Sequence, residues 1–329
     1  MKENYTKANT LDFSSLPEDE IEAKGWIHLF GVENRFQKSL DFIDTEYLSS
    51  QKLKSCIRFT SVCMLDAIPY SFELYQTIGF FPITEAIDEL DYAIKHALLG
   101  SYKASFADLR RALELTVLTV YFTQGETQLE QGSEWYKSKT DTPYFTKMLK
   151  ELVKLDKYSK VQELYDWSAG VKQHYYNLSD YSHNKGADKS YRELSGSNSR
   201  IMASHLPFVN TNTLEIFLEL YIKTVSTIAT LLALNNPIIL KGIDLESKFG
   251  LNTPISGFFS EGMAALTFDI IEVPYKEFFK NFIVQDKHVN DMSSWISGMP
   301  DITQEQFNEQ IKNQNTFISD TNSKDIEQK

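Results

Sequence analysis

The stretch Leu214–Leu234 is the most apolar part of the chain, and it restricts the possible fold more than any other feature. Glu215, Glu219 and Lys223 recur within it at every fourth position, so a helix here carries one charged stripe on an otherwise apolar surface. A charged stripe is costly in a lipid bilayer, whereas a helical bundle accepts it at its surface. We therefore predict a long core helix rather than a membrane span, and other helices must cover it.

Helical periodicity upstream supplies such partners. An amphipathic helix is predicted from Pro82, with Thr84 as its N-terminal cap and Gly100 at its end. Ser101 starts a second helix, which ends before Gly125. Because the connection at residues 100–101 is short, the two helices are expected to be antiparallel neighbours.

Two more helices are predicted after a polar loop at residues 124–142. Pro143 opens a helix that continues to Leu155, and the next helix runs from about Ser159 to Leu178 with Leu164 on its inner face. Residues 184–200 form a second polar loop that is rich in turn-forming residues. With the apolar helix, these segments predict a central bundle of about five helices.

The flanking segments differ in character. A helical spacing from Leu53 to Ala67 stops before Pro69. Downstream, residues 264–273 are the best β-strand candidate, and a short helix is predicted at residues 275–284.

The predicted fold class is therefore mainly α, in three parts. Residues 1–82 form an N-terminal helical extension, residues 83–236 the helical bundle, and residues 237–329 a small C-terminal α+β segment with a disordered tail. Both ends of the chain, residues 1–12 and 313–329, lack periodic apolar residues, so we expect them to contribute little to stability.

The charge distribution limits the possible partners. The formal net charge is −12, and the acidic excess lies in residues 1–100 and 201–329, whereas residues 101–200 carry slightly more basic than acidic groups. An acidic protein repels nucleic acid in general. RNA is therefore expected to bind, if at all, through residues 101–200.

Cysteine spacing and missing motifs exclude several activities. Cys56 and Cys63 are too far apart on one helix for a disulfide, and no other cysteine completes a zinc site, so we expect two reduced, buried thiols and no metal. The chain has no phosphate-binding glycine loop, no paired-histidine zinc helix and no nucleophile elbow, so no cofactor is expected. The N-terminus has no apolar signal region, which predicts a cytoplasmic location.

The segment Asp108–Glu114 is the first of two candidate functional motifs. Arg110 and Glu114 are four residues apart and can pair on a helix surface, while Arg111 projects about 100° away from Arg110. One interpretation is an ordinary surface ion pair. The other is an arginine that Glu114 holds at the edge of a groove, where a guanidinium can bind a phosphate or a carboxylate.

The second motif is the polar helix end that leads to His183. Tyr176, Ser179 and Asp180 precede this histidine by seven, four and three residues and so lie on its face of the helix. Histidine transfers protons near neutral pH, and these neighbours could orient its ring. The alternative is a histidine that only stabilises the end of its helix.

Together the two motifs, Leu-Arg-Arg-Ala-Leu-Glu at 109–114 and Leu-Ser-Asp-Tyr-Ser-His-Asn-Lys-Gly at 178–186, resemble the HEPN-like helical proteins of bacteria. The resemblance implies a four-helix bundle, dimerisation and, in active members, a metal-independent ribonuclease with an Arg-x4–6-His motif. His183 would be its acid or base, and an arginine would hold the phosphate. In this chain, however, positions 176–178 hold Tyr176, Asn177 and Leu178 instead of that arginine.

The resemblance leads to three hypotheses. The favoured one is a non-catalytic or degenerate HEPN-like binding module in a bacterial toxin–antitoxin, stress or antiviral defence system. It forms a homodimer, binds a protein partner, or does both. The second is a ribonuclease that uses His183 with Arg110 or Arg111, supported by Glu114 and Asp180. The third is an unrelated helical protein with a small ligand in an aromatic-lined core pocket.

Overall fold

The computed structural model describes residues 32–46, 50–68, 78–183, 209–250, 254 and 257–312. Within these ranges the protein is helical and has no β-sheet; the one β-bridge joins Ile243 and Ser260. The mainly α fold class is therefore confirmed. The α-helices are α1 (Val32–Glu46), α2 (Gln51–Val62), α3 (Phe80–Leu98), α4 (Tyr102–Phe122), α5 (Glu126–Tyr136), α6 (Phe145–Leu152), α7 (Asp156–Tyr165), α8 (Trp167–Ser182), α9 (Thr211–Asn235), α10 (Leu245–Phe249), α11 (Glu261–Ile270), α12 (Val273–Gln285) and α13 (Lys287–Ser297). A further helical stretch follows at residues 304–312.

Helix α4 is the centre of the bundle. It packs along α3, as the short connection predicts, and it also contacts α6, α8 and α9. Tyr102 near its start hydrogen-bonds to Asn210, and Gln124 after its end donates to Asn235, so α4 and α9 run in the same direction. In α9, Glu215, Glu219 and Lys223 are exposed while the opposite side is buried.

The prediction of a long core helix is confirmed, since α9 includes the whole apolar stretch Leu214–Leu234 and most of this stretch is buried. By length and composition alone this helix could also cross a membrane, but 78% of its most apolar window is buried within the protein.

Helix α3 begins earlier than predicted. Its cap is Gly79 and its first residue is Phe80, while Thr84 lies inside the helix and donates its hydroxyl proton back to the Phe80 carbonyl at 3.0 Å. Pro82 therefore belongs to the first turn. Proline is accepted there because the first N–H groups of a helix have no partner within it.

The predicted loop at residues 124–142 is wrong over much of its length, because α5 occupies Glu126–Tyr136. Its buried Gly132 lies so close to Ile78 and Phe122 that an added Cβ would overlap both side chains. The absence of a side chain at this position therefore permits close packing of α5.

The predicted helix from Ser159 to Leu178 is two helices, α7 and α8. Asp166 separates them with a left-handed backbone conformation, φ 48° and ψ 45°. The break shifts the helical phase, so Leu164 is exposed rather than on the inner face as predicted. Trp167 and Tyr181 of α8 are buried in the core.

The predicted strand at residues 264–273 is also wrong. This segment forms α11, and Pro274 lies in the first turn of α12. The α11 residues that are buried, Met263, Ala264, Thr267 and Ile270, follow a helical spacing. A short apolar run is compatible with a strand or a buried helix, and here packing against α2 selects the helix.

The two flanking segments meet each other on the bundle. In α2, Ser55 donates to the Asp269 carboxylate of α11 at 3.4 Å. The buried Asn236 joins both segments, since its amide donates to the Ala67 carbonyl at 3.2 Å and to the Gly257 carbonyl at 3.0 Å. One continuous hydrophobic core runs from Leu53 to Ile296. The predictions on residues 1–12, 184–200 and 313–329 lie outside the described residues.

Candidate functional site

The candidate site lies where the N-terminal half of α4 meets the C-terminal end of α8. The Phe106 ring of α4 packs against the Tyr181 ring of α8 with centroids 5.1 Å apart, and Arg110 lies one helical turn further along α4. Leu109 and Leu113 are fully buried, which places Arg110 at the margin of the core, as the periodicity predicts.

Arg110, Glu114, Tyr175 and His183 form one hydrogen-bonded group, which we call the Arg110 cluster. Arg110 donates from Nη1 to His183 Nε2 at 3.2 Å and from Nη2 to the Tyr175 hydroxyl at 2.6 Å. Arg110 Nη2 also lies 3.9 Å from Glu114 Oε2, and the Tyr175 hydroxyl donates to that oxygen at 3.4 Å. The structure thus brings together the Arg110–Glu114 pair of the first candidate motif and His183 of the second.

Tyr175 fixes the position of the guanidinium. The Arg110 guanidinium carbon lies 4.8 Å from the centre of the Tyr175 ring, and Phe145 of α6 stacks on that ring at 4.0 Å and 11°. Burial raises the pKa of the Tyr175 hydroxyl, so this group keeps its proton and remains a donor to Glu114. The arginine is therefore held by two helices and an aromatic stack.

The hydrogen bond to Arg110 defines which ring nitrogen of His183 accepts and which carries the proton. A guanidinium has only donors, so Nε2 of this exposed histidine must accept with its lone pair, and the proton of the neutral ring lies on Nδ1. Asp180 lies one turn earlier on α8 and is partly buried. A base and a cation consequently stand side by side at the surface, an arrangement that can bind an anion and accept a proton from it.

Arg111 belongs to a different group. It donates from Nε to Glu89 Oε1 of α3 at 2.8 Å and from Nη2 to the buried Asp108. The hydrogen bond to Glu89 is the largest cause of the raised pKa of Arg111. Asp108 also accepts from His96 Nδ1 at 2.6 Å. Of the two candidate arginines, Arg110 is the one that contacts His183.

The sequence patterns give no role to four residues of these groups, Tyr175, Glu89, His96 and Asp108. The spacing of Asp108 and Arg111, three residues apart on one helix, was a usable signal for their pairing. Nothing local indicates the contacts that Tyr175 and His96 make with another helix.

His174 anchors the helix that carries the cluster. Its side chain is 2% exposed, and Nε2 lies 2.8 Å from the Thr224 hydroxyl of α9. Burial and, secondly, the charge of Lys223 lower the pKa of His174 to about 3, so this ring is neutral under ordinary conditions.

Other potential sites are less well formed. Concavities of 510 and 570 Å³ lie at the surface, one beside Lys248 and Asp301 and one between α7 and α12, and neither includes the Arg110 cluster. Neither is the closed aromatic pocket that the small-ligand hypothesis requires. Among the described residues no group of three or more His, Cys, Asp or Glu side chains could hold a metal ion. Cys56 and Cys63 are buried free thiols, as expected.

Comparisons of the chain with protein-family models, with curated proteins and with solved structures gave no match. The function of the Arg110 cluster is therefore inferred from its geometry.

Proposed function

We propose that the protein is a HEPN-like helical module that binds a phosphate group of RNA at the Arg110 cluster. One observation carries the proposal: Arg110 Nη1 lies 3.2 Å from His183 Nε2, although the two residues are 73 positions apart and on different helices. An arginine from α4 thus lies beside the histidine, although positions 176–178 hold no arginine.

The guanidinium retains donors for a ligand. Its hydrogen bonds to Tyr175 and His183 use one N–H of Nη2 and one of Nη1, so the second N–H of each nitrogen remains for a ligand, whereas Nε is buried. The side chain is 27% exposed. A phosphate oxygen could take the place of His183 Nε2 as the acceptor of Nη1, and it would form a charge-assisted hydrogen bond there.

RNA binding is tested by fluorescence anisotropy with a labelled single-stranded RNA in buffer that contains a metal chelator. Loss of a charge-assisted hydrogen bond costs about 1.5–3 kcal/mol, so Arg110→Gln should weaken binding by roughly 10- to 100-fold. Lys241→Gln is the matched control, because this exposed lysine follows the C-terminal end of α9, far from the cluster. Its affinity should stay within about twofold of wild type.

Two outcomes would contradict the proposal. One is a wild-type protein that does not bind RNA at any accessible concentration. The other is equal affinity for Arg110→Gln and wild type, with thermal melts showing both proteins folded.

RNA cleavage is the second candidate function, and the lone pair on His183 Nε2 favours it. A phosphate that takes over the Arg110 donor would free this nitrogen to remove a proton from a ribose hydroxyl. Metal-independent cleavage that falls by roughly 100-fold or more in His183→Ala would establish catalysis. Binding without cleavage would instead identify the module as non-catalytic, which is what we expect because positions 176–178 lack the arginine of active members.

A further inference from the structure

Helix α8 presents a row of three exposed side chains that ends at the Arg110 cluster. Lys172, Tyr176 and His183 are separated by four and seven residues, and both spacings return to nearly the same face of an α-helix. At 1.5 Å per residue, the row covers about 16 Å along the helix axis. It is long enough to contact more than one nucleotide.

Tyr176 lies next to the cluster without being part of it. Its ring is 5.9 Å from the Tyr175 ring, and the Tyr175 ring centre is 4.8 Å from the Arg110 guanidinium carbon. The Tyr176 side chain is 44% exposed, unlike the buried Tyr175 and Tyr181 of the same helix. An exposed ring this close to a phosphate-binding group is placed to stack on a base.

Lys172 continues the row beyond Tyr176. Its ammonium nitrogen lies 5.8 Å from the centre of the Tyr176 ring, and the side chain is exposed. A cation, an aromatic ring and a second cation therefore follow one another along α8 to Arg110. Positive charges that alternate with stacking rings are typical of surfaces that bind single strands.

From this row we infer that α8 carries a second nucleotide subsite, in which Tyr176 stacks a base adjacent to the Arg110-bound phosphate and Lys172 contacts the next phosphate. The inference rests on the proposed phosphate site. It selects single-stranded RNA as the ligand, because the base faces of a duplex are covered by neighbouring bases and cannot stack on a side chain of a helix surface.

Affinity measurements with a single-stranded RNA and its duplex test the subsite. Stacking of one base contributes about 1–3 kcal/mol, so Tyr176→Leu should weaken single-strand binding by roughly 5- to 100-fold, and Tyr176→Phe, which keeps the ring, should retain most of the affinity. Duplex RNA should bind more weakly than the single strand by a similar factor.

The chain contains a matched control on another helix. Tyr92 of α3 is 49% exposed and has Lys95 5.5 Å from its ring centre, yet it is outside the Arg110 cluster. Tyr92→Leu should leave the affinity unchanged. Lys172→Gln is measured by the salt dependence of binding, a readout that altered folding does not produce. Loss of one phosphate contact should make the negative slope of log affinity against log salt concentration shallower by about 0.7.

The outcomes separate the subsite from the phosphate site. If Arg110→Gln weakens binding while Tyr176→Leu and Lys172→Gln bind like wild type, the subsite is disproved and the phosphate site stands. Equal affinity for single-stranded and duplex RNA also disproves the subsite. If wild type binds no RNA, the proposed function and the subsite are both wrong.

Discussion

The buried His174 predicts a specific loss of stability in mild acid. The Thr224 hydroxyl donates its proton to the Leu220 carbonyl at 2.8 Å, so it must accept a proton from His174 Nε2. The other ring nitrogen, Nδ1, is buried and has no hydrogen-bond partner among the described residues. Protonation of Nδ1 would place a charge in the core beside Lys223, which is why the pKa falls to about 3.

The magnitude follows from the difference between the folded and unfolded pKa values. In the unfolded chain a histidine has a pKa of about 6.5, so between about pH 6.5 and pH 3 the unfolded state binds a proton that the folded state does not. Stability contributed by His174 is therefore complete above pH 6.5 and falls as the pH falls. At pH 5 the loss is about 2 kcal/mol, from about 1.36 kcal/mol for each pH unit below 6.5.

Urea unfolding of wild type and His174→Gln at pH 8 and pH 5 measures this loss. Glutamine keeps an N–H that can reach Thr224 and has no titrating group. Between pH 8 and pH 5 the free energy of unfolding of wild type should fall by about 2 kcal/mol more than that of the variant. His288→Gln, which removes an exposed histidine of α13, should show the wild-type pH dependence.

Equal pH dependence of wild type and His174→Gln would refute this reasoning. It would mean that the ring is hydrated or that α8 opens locally and lets His174 bind a proton in the folded state.

Three further predictions concern stability and assembly. Asp108→Asn should lower the free energy of unfolding by about 2 kcal/mol in chemical denaturation, because the buried charge that accepts from both His96 and Arg111 is lost. An unchanged denaturation midpoint would show that these two contacts do not stabilise the protein. Removal of residues 1–12 and 313–329 should leave the thermal midpoint within about 3 °C by calorimetry, whereas insoluble expression would show that an end packs on the body. Light scattering at micromolar concentration should give about twice the 37.9 kDa chain mass, as a two-fold dimer requires; a mass that stays at 37.9 kDa as the concentration rises would contradict dimerisation.

Long, regular helices could be predicted from the sequence because their evidence is local. The bounds of α9 follow from its apolar run and charged stripe, and the hairpin of α3 and α4 follows from two amphipathic periods around Gly100. The pairing of Arg110 with Glu114 could also be predicted from the sequence, since residues four apart on a helix are neighbours. Each of these features depends on residues within a few turns of one another.

The tertiary structure decided what local patterns leave open. The close approach of Ile78 and Phe122 to Gly132 of α5 is a tertiary contact that the polar sequence of this segment does not reveal. Likewise, the apolar run in α11 became helical through packing on α2. The meeting of Arg110 and His183 depends on the antiparallel packing of α4 against α8, and no periodicity encodes which of two adjacent arginines faces α8 and which faces α3. The chain by itself determined which residue types were available for a phosphate site, and the packing of these two helices determined which of them meet.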